Sequence, residues 1–165
     1  MMPSISHTYA PRGKRPTIHL SGQHTKRWYI ASAVSPIGDC AFFLRNKPFD
    51  TKAIIEYLTY LMQYFNQKLL IIWDGASIHN SEELKQWLAQ QEKEQLHLVQ
   101  QPHYSPELNA DEQVWHQLKR VKLKDKCHQN FNELQNSIIE KMNDIKNDKQ
   151  LIMNFFKHPD LGFYD

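Results

Sequence analysis

The hydrophobic positions of this chain follow a strand-like pattern first and a helical one later. Residues 17–20, 28–34 and 40–44 are short runs of β-branched, aromatic and small apolar residues. Turn residues separate them: Ser21 and Gly22 after the first, then Pro36, Gly38 and Asp39 after the second. Runs bounded in this way read as strands, and the last two as a hairpin. From Asp50, a helix-capping residue type, the period lengthens: Ile54, Tyr57, Leu58, Leu61, Met62 and Phe65 recur at helical spacing. Residues 69–73 are wholly apolar, as in a strand covered on both faces. Asn80 or Ser81 starts a helix reaching about Glu92, with Leu84, Trp87 and Leu88 inward, and residues 96–99 form another strand. Asn109 opens a helix to about Lys124 with Val114, Leu118 and Val121 on one stripe. Asn130 and Glu133 form a capping-box-like pair for the next helix, whose stripe is Phe131, Leu134, Ile138, Met142 and Ile145. Residues 149–157 suit a final short helix.

The order is β-β-β-α-β-α-β-α-α, with a further short α at the end. Antiparallel strands followed by alternating helix and strand predict an α/β fold, a mixed sheet with helices on its faces. The length of 165 residues suits one domain, and no repeat or second domain is evident. Residues 1–16, with Pro11, Gly13 and Pro16, read as loop.

Composition excludes several classes. Cys40 and Cys127 stand far apart in no ligand-like spacing, which argues against a disulfide framework and fits a reducing cytoplasm. His97, His103, His116 and His128 make no zinc signature with them. No apolar run approaches the roughly 20 residues needed to span a bilayer, and the N-terminus lacks the pattern of a secretion signal. Net charge is only +2, so the overall balance does not point to nucleic acid. The distribution says more: Arg12, Lys14 and Arg15 cluster early, and Lys119, Arg120, Lys122, Lys124 and Lys126 cluster late. Such clusters can meet phosphates, or can simply be solvated faces.

The candidate chemistry lies between residues 69 and 115. Asp74 follows an apolar strand, where functional groups of open α/β sheets gather; the plainer alternative is a turn at Asp74-Gly75. Glu112 falls at the third position of a helix capped by Asn109, where a capping role competes with a catalytic one. Asp111 beside it complements the helix dipole. His79 can contact phosphate, orient an acid or be structural. Two acids placed in this way can converge on a divalent metal, an arrangement suited to phosphodiester chemistry.

Together, the stretch from Leu69 through Asp74 to His79 and the stretch from Pro102 through Tyr104, Ser105, Pro106, Leu108, Asn109 and Glu112 to Trp115 resemble the second and third acid motifs of mariner-like DDE transposases of bacterial insertion sequences. Gly75 replaces the family's Asn, and Ala110 with Asp111 replaces its Pro-Ile. The resemblance covers nearly all of the chain up to about Lys126. It implies a ribonuclease H-like catalytic domain, with a core of about residues 8–126 followed by helices at about 130–158. The implied activity is Mg²⁺- or Mn²⁺-dependent DNA strand cleavage and strand transfer, with Asp74 and Glu112 as catalytic and metal-binding acids. By the same resemblance Arg12, Lys14, Arg15, His79, Lys119, Arg120, Lys122 and Lys124 are DNA contacts, the partners are element ends and target DNA, and a homodimer is possible.

The family's first catalytic Asp precedes a segment like residues 3–13, and only two methionines precede that segment here. Asp39, in a turn, and Asp50, at a helix start, do not match that position. The expectation is a domain that lacks its first strand and is inactive alone. Activity then requires fusion to an upstream reading frame; the alternative is a non-catalytic DNA-binding remnant.

Overall fold

The computed structural model describes residues 27–91, 95–102, 105–123 and 130–157. The expected strand at 17–20 and loop at 1–16 lie outside these residues, as do Arg12, Lys14, Arg15 and Lys124.

Strands β1 (Tyr29–Val34) and β2 (Cys40–Arg45) form the expected antiparallel hairpin, with Ser32 opposite Phe42. Gly38 in the connecting turn has φ +89°, and a Cβ there would come within 2.9 Å of the Lys149 carbonyl oxygen. Both the turn conformation and the close approach require glycine. Helix α1 (Thr51–Phe65) is capped by Asp50, whose carboxylate accepts from the Ala53 N–H, and stops at Asn66 in the left-handed conformation. Strands β3 (Leu69–Trp73) and β4 (Leu96–Gln100) pair in parallel, Leu69 opposite Leu96 and Trp73 opposite Gln100. Between them a short 3₁₀ turn (Ser77–Asn80) precedes α2 (Glu82–Gln90). Ser81, not Asn80, caps α2. A second 3₁₀ turn (Pro106–Leu108) leads to α3 (Asp111–His116), which runs directly into a π-helical segment (Gln117–Lys122). Helices α4 (Phe131–Asn147) and α5 (Lys149–Phe155) follow. Asn130 caps α4 by accepting from the Glu133 N–H at 2.8 Å. The class is mixed α/β, as expected. Among the described residues the strands make two two-stranded sheets, not one continuous sheet.

Alternation along the hairpin decides the layering. Ala31, Ala33, Ala41 and Phe43 face α1, where they meet Tyr57 and Leu61. Ile30, Val34, Cys40 and Phe42 face the other way, into a core built by Val114, Leu118, Ile138, Met142, Ile145 and Ile152. The small alanines let α1 lie close; the larger side chains fill the opposite layer. Trp28 anchors this layer by stacking on Phe131, ring centroids 4.5 Å apart.

The second sheet differs from expectation. Leu69, Ile71 and Trp73 pack with Leu96 and Leu98 against α1 and α2. Leu70, Ile72 and Val99 point the other way and are 66%, 48% and 47% exposed. An unbroken apolar run therefore does not mark a strand covered on both faces here. Among the described residues, α3, α4 and α5 pack on the hairpin.

A second departure lies in the segment after α3. The stripe Val114, Leu118, Val121 assumes an unbroken α-helix. The Leu123 N–H instead bonds to the Leu118 carbonyl at 2.9 Å, a five-residue step. The wider turn carries Leu123 inward, to 7% exposure, and leaves Val121 54% exposed.

Candidate catalytic site

Asp74 stands immediately beyond β3, at the carboxyl edge of the parallel pair. Its side chain is largely exposed. One oxygen, Oδ1, accepts from the Ala76 N–H at 3.0 Å and lies 3.1 Å from His79 Nε2. The Asp74-Gly75 turn and the candidate acid are thus the same structure: the turn holds one oxygen. Among the described residues nothing bonds Oδ2.

His79 stacks on Trp73, with ring centroids 4.0 Å apart and planes 18° apart. Burial lowers its pKa, against the pull of the Asp74 carboxylate. Nε2 faces Asp74 Oδ1, while Nδ1 is buried without a partner among the described residues. This geometry makes His79 an orienting residue for Asp74.

The neighbouring strand leads to the second acid. The Gln101 N–H donates to the Trp73 carbonyl at 2.8 Å, and the Gln101 side-chain amide donates to the Leu108 carbonyl at 2.9 Å. The same glutamine thus fastens the end of β3 to the loop entering α3. Asn109 Oδ1 accepts from the Asp111 N–H at 3.0 Å. Asn109 therefore starts the helix, but one residue out of the register expected from sequence. Glu112 sits in the first turn at the second helical position and is exposed. Its carboxylate makes no hydrogen bond or ion pair among the described residues. The competition between capping and ligation does not arise.

The enclosed carboxylate is that of Asp111, which the sequence suggested only as a dipole partner. Oδ2 accepts from Ser32 Oγ at 2.9 Å and from Trp115 Nε1 at 3.1 Å. Among the described residues Oδ1 is buried without a partner, as is the Tyr57 hydroxyl. Burial pushes the Asp111 carboxyl up to about 6, opposed by the two hydrogen bonds and reinforced by Glu112 next to it. Burial raises Tyr57 well above its ordinary range, with Asp111 adding to the shift. Asp111 faces the hairpin because Ser32 shares the strand face of Ile30 and Val34; the next residue, Glu112, is turned away into solvent. No spacing pattern announces this role. The clue was Ser32, a lone hydroxyl on an apolar strand face.

Lys119, Arg120 and Lys122 lie in the π segment. Lys119 Nζ sits over the Trp115 ring at 5.3 Å, and Lys122 Nζ is 4.0 Å from Asp144. Among the described residues no group of three or more His, Cys, Asp or Glu side chains could hold a metal ion.

The family model for DDE superfamily endonucleases matches residues 2–135, most of the chain. The chain belongs to this family. The DDE match spans both acid-bearing segments and every element from β1 to the first turn of α4; the rest of α4 and α5 lie beyond it. It identifies a catalytic domain of the DDE transposase type. Comparison with curated proteins gives no match. No helix among the described residues of this DDE domain is long and apolar enough to cross a membrane.

Proposed function

We propose that this domain performs metal-dependent DNA cleavage and strand transfer for a mariner-like bacterial insertion sequence, with Asp74 and Glu112 as two of its three acids. One observation carries the reading. Asp74 ends β3, Glu112 begins α3, and Gln101 ties the end of β3 to the loop that delivers α3. Among the described residues each carboxylate keeps an oxygen without a protein partner. Oxygen donors of this kind suit Mg²⁺ or Mn²⁺. Asp74 and Glu112 would hold such an ion, whose charge would supply activation of a water or 3′-hydroxyl and stabilisation of the leaving oxygen.

The chain's own residues supply positioning. The Ala76 N–H and His79 fix Asp74, so its free oxygen is presented at the strand edge. Asp111 fixes the first turn of α3 against β1, and so fixes where Glu112 projects. Basic residues after Glu112 would meet the phosphates flanking the reacting bond.

The first acid, in this reading, comes from another segment, carried on a strand of a ribonuclease H-like sheet between β1 and β3. Two features support this. Residues 1–26 contain no Asp or Glu. Strands β1 and β3 both pack on α1, yet they belong to separate sheets among the described residues. The chain alone is then inactive. The test is reconstitution: supplying an upstream Asp-bearing strand with a DNA-binding region should yield Mg²⁺-dependent cleavage of element-end DNA. If the supplemented protein binds DNA but never cleaves it, the non-catalytic remnant is the better reading.

A further inference from the structure

The π segment has a consequence for the cations it carries. Leu118 and Leu123, both buried, bracket its wide turn, so the middle of that turn faces away from the core. Arg120 and Val121 occupy the middle. In an unbroken α-helix Val121 would point inward and Arg120 would flank it at the edge of the core. Glu112 lies two residues before the buried Val114, about half a turn away, and so faces outward as well. The π turn therefore aligns Arg120 with Glu112 on the outward side of one continuous helix. The eight residue steps from Glu112 to Arg120 span at most about 12 Å along the axis.

The three cations of the segment are not equivalent. The Lys119 ammonium rests on the Trp115 ring, and that of Lys122 lies near Asp144. Arg120 is exposed and has no partner among the described residues. The wide turn exchanges Val121 for Leu123 in the core and leaves beside Val121 an exposed guanidinium, a fork suited to bidentate phosphate contact. π bulges recur at functional sites.

We propose that Arg120 is the phosphate-positioning residue of this helix, turned by the π segment to grip the DNA backbone beside Glu112. The proposal rests on the DNA-cleavage reading above, and deepens it by naming one contact among several cations.

The experiment is duplex DNA binding by the full chain, followed by fluorescence anisotropy across a salt series. Wild type is compared with Arg120→Ala, Arg120→Lys and Lys119→Ala, each checked for native circular dichroism. Each neutralised phosphate contributes about 0.9 to the slope of log affinity against log salt. Arg120→Ala should lower the slope by about one contact and weaken binding about tenfold at low salt. Arg120→Lys should keep the slope but lose part of the affinity, since the charge stays and the fork goes. Lys119→Ala should change the slope by less than half as much as Arg120→Ala. Salt-sensitive binding in which Arg120→Ala matches wild type, or in which Lys119→Ala has the larger effect, overturns the assignment of Arg120 alone. Absence of salt-sensitive DNA binding in wild type overturns the DNA reading and this proposal with it.

Discussion

The Ser32 hydroxyl donates to the Asp111 carboxylate at 2.9 Å, across 79 residues of chain. This bond joins the hairpin to the helix bearing Glu112, and Trp115 Nε1 completes the clamp on the same oxygen. Asp111→Leu should strand both donors, at about 1–3 kcal/mol for each. Asp111→Asn keeps an acceptor oxygen and should cost far less. Chemical denaturation of the two variants checks the order; equal losses would mean that charge, not hydrogen bonding, holds the helix.

Cys40 is 1% exposed, and burial pushes its thiol up to about 12, with Asp111 adding to the shift and Lys146 opposing it. The sign follows from linkage: the folded thiol keeps its proton between its ordinary value of 9.0 and about 12, whereas the unfolded thiol releases it. Cys40 therefore stabilises the fold below that window and loses this contribution as pH rises through it. In a Cys127→Ser background, Cys40 should resist a thiol reagent near pH 9 until denaturant is added. Immediate labelling of folded protein would contradict the burial.

Leu70, Ile72 and Val99 leave an apolar face on the β3–β4 sheet. Apolar patches of this kind favour association. The purified chain should self-associate with rising concentration, and Leu70→Lys with Ile72→Lys should reduce this without unfolding, since both side chains already point outward. Sedimentation velocity measures it. Concentration-independent monomers of the wild type would mean the face is harmless.

What sequence made legible, and what it did not, divides on physical lines. The hairpin, α1, the strands β3 and β4 and the caps Asp50 and Asn130 rest on local signals: turn residues, side-chain period and capping chemistry. Leu70 and Ile72 misled because an apolar run reports composition, whereas coverage depends on where α3–α5 pack. Val121 misled because helical spacing assumes 3.6 residues per turn, and the exchange of Val121 for Leu123 becomes visible only through a five-residue hydrogen bond. At the site, the strand-end position of Asp74 and the helix-start position of Glu112 were readable. The burial of Asp111 was not, because its partner Ser32 is remote in sequence.

His79 holds one oxygen of Asp74, so its loss should loosen that carboxylate and not the fold. In the reconstituted protein, His79→Ala should lower the cleavage rate and raise the Mg²⁺ concentration needed, while His79→Gln, which retains an N–H donor, should recover part of both. A cleavage rate and metal requirement identical to wild type for His79→Ala would show that the contact with Asp74 is incidental.

The central claim is that Asp74 and Glu112, and not Asp111, are the acids of a metal-dependent DNA-cleaving site completed by a segment outside this chain. The most direct measurement is Mg²⁺-dependent strand cleavage of element-end DNA by the chain alone, by the protein with its upstream Asp-bearing strand restored, and by single variants of the restored protein. The account predicts no cleavage by the chain alone and cleavage on restoration. It predicts loss of that cleavage in Asp74→Asn and Glu112→Gln with DNA binding retained, and substantial activity in Asp111→Asn. Cleavage by the isolated chain, or a restored enzyme that tolerates Glu112→Gln but not Asp111→Asn, would contradict it.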